Sequence, residues 1–78
     1  AAEQGNASAQ GQLGFHYYGG FGVQRDYVQA HAWFKLSIAN GSHLAVGSLD
    51  NLERRMTSDQ FAGALELERI YLQKYRAK

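Results

Sequence analysis

The chain has no cysteine and no proline. Without cysteine, neither a disulfide framework nor a thiolate zinc site is available to hold a fold together. Without proline, nothing forces a break in a helix interior. Net charge is nearly absent as well: eight Lys/Arg against seven Asp/Glu leave a formal +1, which argues against a dominant electrostatic partner such as nucleic acid. No apolar run approaches the ~20 residues of a membrane span, and no signal-peptide pattern is visible. An initial Met is also missing, so we expect a processed protein or a piece of a longer one.

What remains is 78 residues with ten aromatic side chains (one Trp, five Tyr, four Phe). A chain of this size buries only ~60% of its unfolded surface, so its stability must come from packed helices, with those rings as core material. One stretch organises the rest, LGFHYYGGFGVQRDYVQAHAWFKLSIANG, Leu13 to Gly41. A first helix is predicted from a cap at Asn6, over Ala7 to about Tyr18. Ala9, Leu13 and Tyr17 fall on one of its faces, with small Gly14 beside them. Gly19, Gly20 and Gly22 then supply the positive φ angles of a tight reversal. Asp26 is placed to cap a second helix, about Tyr27 to Asn40. On that helix Ala30, Trp33, Phe34, Ile38 and Ala39 recur at i+3 and i+4, and Gly41 ends it.

Upstream, residues 1–4 read as the last turn of a helix stopped by Gly5. Downstream, Gly41-Ser42 repeats the stop-and-cap signal and predicts a third helix from about His43 to Arg55, carrying an Asp50–Arg54 i,i+4 pair. Thr57-Ser58-Asp59-Gln60 is a capping box for a fourth helix, Ser58 to about Arg76. Its apolar residues Phe61, Ala64, Leu65, Leu67, Ile70, Tyr71, Leu72 and Tyr75 predict a wide buried face. Its acids (Asp59, Glu66, Glu68) come early and its bases (Lys74, Arg76, Lys78) late, the order the helix dipole favours.

Sliding the chain against itself by 36 residues aligns Gly5 with Gly41, Ala9 with Ala45, Gly11 with Gly47 and Leu13 with Leu49. Periods of this size mark stacked helix pairs. The match fades after Asp50, where Tyr17 would correspond to Glu53 and Arg55-Met56-Thr57 replaces the glycine turn. The fourth helix is therefore expected to close the stack.

The assembled pattern resembles the Sel1-like repeat, a relative of the tetratricopeptide repeat. Ala2, Gly5, Ala9, Leu13, Gly14, Tyr17, Gly20, Gly22, Val23, Asp26, Ala30, Trp33 and Gly41 fall in register with it. The departures are Ser37 and Ile38, where the repeat has an Ala-Ala pair. The resemblance implies an all-α fold, a right-handed α/α superhelix (solenoid) of paired antiparallel helices. A single domain is expected over residues 1–78: one full repeat (about 2–41), a partial second repeat (about 42–56) and a C-terminal capping helix (about 57–76). It also implies a bacterial protein-interaction scaffold, here the C-terminal part of a longer array. Its compartment, bacterial cytoplasm or periplasm, is left open.

Candidate sites follow from these placements. Leu13, Tyr17, Trp33 and Phe34 are read as core, although a buried Trp or Tyr still needs a partner for its polar hydrogen. The glycines lack the strand and the Lys-Ser/Thr of a phosphate loop. His16, His31 and His43 have no ligand spacing, so no metal or cofactor is expected and each is read as solvated or half-buried. Arg54, Arg55 and the C-terminal bases are interleaved with acids, a solvated face and not a nucleic-acid stripe. No nucleophile–base–acid set stands out.

In paired-helix solenoids the first helices line the concave side. If Ala9, Leu13 and Tyr17 face the core, the adjoining stripe is Ser8, Gln12, Phe15 and Gly19, which the repeat shift maps to Leu44, Ser48, Asn51 and Arg55. We take Gln12, Phe15, Ser48, Asn51 and Arg55 as candidate partner-binding residues. Phe15 is either an exposed anchor or a packing residue. The expected role is a monomeric, non-enzymatic module for a protein or peptide partner, without nucleic acid or membrane insertion. The alternatives are an enzyme of the β-lactamase-like repeat class, whose cysteine-paired repeats have no counterpart here, and a purely structural cap.

Overall fold

The computed structural model describes residues 6–75, and no strand occurs among them. Its elements are α1 (Ala7–Gly19), α2 (Tyr27–Ala39), α3 (Val46–Arg55) and α4 (Ser58–Lys74). The helical turn expected over residues 1–4, its stop at Gly5 and the matches at Ala2 and Gly5 lie outside the described residues.

Each start that has a side-chain cap is where a local signal puts it. Asn6 Oδ1 accepts from the Ala9 amide at 3.0 Å, and Asp26 Oδ1 from the Gln29 amide at 3.2 Å. At α4 the capping box is complete: Thr57 Oγ1 accepts from Gln60 N (3.1 Å) and Gln60 Oε1 from Thr57 N (2.9 Å). Such caps satisfy amides that have no partner within the helix.

Helix α3 begins three residues later than expected. Ser42 Oγ accepts from the Leu44 amide at 3.3 Å, and this local bond holds residues 43–45 in a turn that competes with helix. The exposed Asp50–Arg54 pair forms at 3.1 Å.

Helix α2 is the centre of the molecule. Ala30, His31, Ala32, Trp33, Phe34, Leu36 and Ser37 are all buried on it, as expected of a helix covered on most sides. Helix α1 approaches it closely at Gly14, where a Cβ would clash with the Phe34 ring. One turn earlier Gly11 faces Ser37. The Ser37 hydroxyl, fully buried, donates to the Ala7 carbonyl at 2.6 Å. The departure from the Ala-Ala pair therefore keeps the close contact and satisfies its own polar atom.

Two apolar clusters result. Ala30, Phe34, Ala45 and Leu52 join α2 to α3, with Phe15, Tyr17, Tyr18, Tyr27, Leu49 and Met56 packed around them. Trp33 and Leu36 form the other, with Ala9, Leu13, Tyr17, Tyr71, Leu72 and Tyr75 against them.

Helix α4 lies along α2. Tyr71 and Tyr75 pack on Trp33 at 4.6 and 5.5 Å between ring centroids, and the Tyr71 hydroxyl donates to Gln29 Oε1 at 2.8 Å. The Tyr75 carbonyl accepts from Gln10 Nε2 and Asn40 Nδ2, which ties the end of α4 to α1 and to the close of α2. The apolar face of α4 is narrower than expected: Leu65 and Ile70 are 50% and 43% exposed. A helix packed mainly on one neighbour buries one stripe, here Phe61, Ala64, Glu68, Tyr71 and Tyr75, at i+3 and i+4 steps. Glu68, counted in the sequence only among the early acids of the helix, falls within that stripe and is buried.

Candidate functional site

The α1–α2 loop is pinned at both ends. The amides of Gly20 and Phe21 both donate to the His16 carbonyl (2.8 and 2.9 Å), and the Asp26 amide donates to that of Tyr17 (3.0 Å). Positive φ occurs at Gly20 (74°) and Gly22 (76°). Gly19, expected to share it, is instead the last residue of α1. Its missing Cβ has a different use, since that is where the Phe21 ring lies. Phe21 is thereby held in place while 68% exposed, the most exposed large apolar side chain among the described residues.

Beside it opens a cleft of about 310 Å³, bounded by the end of α1, the loop, the start of α2 and the end of α3. Phe15, Tyr18 and Tyr27 line its interior. Phe15 meets Phe34 edge-on at 5.0 Å, and Tyr18 stands 6.1 Å from Phe34 and 6.0 Å from Tyr27. The fully buried Phe34 ring thus anchors the lining to the core. Arg25 and Arg55 complete the cleft, and no acidic residue lines it. The remaining pairs are informative. Of the four described arginines, Arg54 is paired with Asp50 and Arg69 with Glu66, whereas neither Arg25 nor Arg55 has a carboxylate within 4.0 Å among the described residues. A second, more polar hollow of about 620 Å³ lies against the same loop. Its carboxylate, Asp26, is already engaged in capping α2.

Of the five residues singled out in the sequence, Phe15 and Arg55 meet in this cleft; Gln12, Ser48 and Asn51 do not line it. Gln12, Asn51 and Arg55 are exposed, while Phe15 and Ser48 are half-buried. Phe15 packs against Phe34 and also lines the cleft. Tyr18, Phe21, Arg25 and Tyr27 also line the cleft and were not singled out in the sequence. The available signal was Phe21, a large apolar residue inside a glycine turn, where packing alone gives no reason for one.

A second polar cluster is internal. His16 and His43 are exposed, but His31, expected to be solvated or half-buried, is completely buried. Helical spacing cannot show that α3 and α4 each bring it a carboxylate. Its Nε2 lies 2.8 Å from Glu53 Oε2, a pairing that places the hydrogen on Nε2. Its Nδ1 lies 3.5 Å from Glu68 Oε2 without a hydrogen bond, and both of those atoms lack a partner. Burial raises the Glu68 carboxyl above its ordinary value of 4.5; Lys35 and His31 draw it down and Glu53 pushes it up. The Phe61 ring covers the imidazole at 5.2 Å. This cluster joins α2, α3 and α4, and its sealed histidine is poorly placed to meet a substrate. Among the described residues no group of His, Asp and Glu is arranged to hold a metal ion, and no helix is long and apolar enough to cross a membrane.

The four-helix arrangement is similar to the crystal structure of c5321, a protective antigen of uropathogenic Escherichia coli strains displaying an SLR fold. The likeness covers 95% of this chain with a TM-score of 0.87 and 43% sequence identity. The chain has the Sel1-like repeat fold. It spans 16% of the length of that antigen. No family model and no curated protein matches it. In Sel1-like repeat terms, the register positions Gly14 and Trp33 form the two helix–helix seams. Gly20, Gly22 and Asp26 shape the loop that borders the aromatic cleft.

Proposed function

We propose that this Sel1-like repeat chain is a non-enzymatic protein-interaction module, part of a longer bacterial repeat array: one full repeat, a partial second repeat and a closing helix. The observation that carries this reading is the cleft. Aromatic rings packed on the core and two arginines with no carboxylate partner among the described residues converge beside a loop tied at both ends by backbone hydrogen bonds. Aromatic and Arg side chains in such settings supply most of the binding energy of protein interfaces. Preorganisation lowers the entropic cost of association. The expected contacts include Phe15 and Arg55, with Gln12, Ser48 and Asn51 along the adjoining α1 and α3 surfaces.

The test is selection of phage-displayed random peptides on the immobilised chain, followed by titration calorimetry of the enriched peptides. Phe21→Ala and Arg55→Ala are each expected to weaken binding by roughly tenfold or more, the usual reach of an interface anchor. Enriched peptides whose affinity is unchanged in both variants would retire the cleft as the contact surface.

A further inference from the structure

We infer that the cleft takes an acidic segment of a partner protein, with an apolar side chain laid against Phe21 and carboxylates received by Arg25 and Arg55. This rests on the reading of the chain as an interaction module and adds the chemistry of the partner.

Charge complementarity is the first support. Nearly balanced charge over the whole chain conceals a local imbalance, since both described arginines without a carboxylate partner fall on one cleft that has no acidic lining residue. A guanidinium presents a planar fork of donors that matches a carboxylate in bidentate fashion. The nearest acids in sequence are engaged elsewhere: Asp26 Oδ1 accepts from the Gln29 amide and Glu53 Oε2 pairs with His31 Nε2.

Packing is the second support. Phe21 is fixed over Gly19 and by the bond from its own amide to His16. The Phe15 and Tyr18 rings rest on Phe34. A partner therefore meets an apolar wall backed by the core, with two cations on the same cleft. Nucleic acid fits less well, because tracking a phosphate backbone takes a stripe of cations. Here Arg54 and Arg69 are already paired, and Lys74 lies over the Tyr75 ring at 5.3 Å.

The experiment is fluorescence polarisation with three labelled probes: a peptide alternating Asp/Glu with Phe/Leu, its Asn/Gln isostere, and an oligothymidine. The acidic peptide is expected to bind at least about tenfold more tightly than the isostere, with the advantage shrinking as salt rises. Arg25→Glu and Arg55→Glu each remove that advantage, while Phe21→Ala weakens both peptides. All three side chains are exposed, and an unchanged helical circular dichroism spectrum shows that the variants fold. Equal binding of the two peptides, with both still sensitive to Phe21→Ala, overturns the acidic partner and leaves the interaction module standing. Oligothymidine binding as tight as the acidic peptide's, and lost in the same arginine variants, overturns it in favour of nucleic acid. Acidic-peptide affinity weaker than about 1 mM also overturns it. If phage-selected peptides are in addition indifferent to Phe21→Ala, the cleft falls as an interface of any kind.

Discussion

Replacing Gly14 with alanine tests the α1–α2 seam on which the cleft is built. A Cβ at this position would lie 2.6 Å from Phe34 Cε1, against 3.4–4 Å for ordinary contact, so the ring or the helix must move by about 1 Å. Phe34 is fully buried and touches both Phe15 and Tyr18, which leaves it little room to yield. Alanine in a helix interior gains about 0.8–1.0 kcal/mol over glycine, whereas overpacking a core costs about 1–3 kcal/mol. The expected balance is a loss of about 1 kcal/mol. In a domain this small that lowers Tm by about 4–8 °C. Gly47→Ala is the control: nothing lies within 4 Å of its Cβ position, so the same substitution there is expected to stabilise by about 0.5 kcal/mol. Thermal melts followed by circular dichroism compare the two. A Gly14→Ala protein as stable as Gly47→Ala, or more so, refutes the close approach at this seam.

Three other outcomes follow from the packing of α4. The raised Glu68 carboxyl holds its proton more tightly in the folded chain than in the unfolded one. Its contribution is therefore full below the ordinary 4.5 and is lost as pH rises through the raised value. Glu68→Gln should accordingly gain in Tm relative to wild type between pH 4.5 and 7, and a difference that stays flat or falls over that range contradicts the burial argument. Trp33 is the single tryptophan and sits between α2 and the two α4 tyrosines, so Trp33→Ala should cost about 3–5 kcal/mol. In the wild type, its fluorescence should change at the same denaturant concentration as the helical signal; an earlier transition would mean that α4 undocks alone. Thr57→Ala removes one half of the capping box and should cost about 1 kcal/mol in denaturant melts, with no loss counting against that cap.

What the sequence made legible was local. Asn6, Asp26 and Thr57 announce their helices because a cap bonds within three residues, and Gly20 and Gly22 announce the loop through their φ angles. The start of α3 was misread because Ser42 has two local uses, helix cap and turn, and only the backbone beyond it decides between them. Leu65 was expected in the buried face and is exposed, while Glu68 is buried, because α4 has apolar residues on several sides. Which stripe is buried depends on where Trp33 and His31 stand on another helix. The same holds for His31, whose burial needs Glu53 and Glu68, 22 and 37 positions away. Of the residues that line the candidate cleft, Phe15 and Arg55 had been singled out from repeat geometry. Arg25 and Phe21 did not, since a loop carries no period to place its side chains. The likeness to the Escherichia coli antigen supports the fold; the cleft was found from its geometry.

The central claim, that partners dock at the cleft beside the α1–α2 loop, is tested most directly by amide chemical-shift mapping with a peptide selected on the wild-type chain. Docking there concentrates the shifts at Phe15, Tyr18, Gly19, Phe21, Arg25, Tyr27 and Arg55. Shifts that leave these residues unmoved and gather instead on the exposed side of α4, around Leu65 and Ile70, would contradict it.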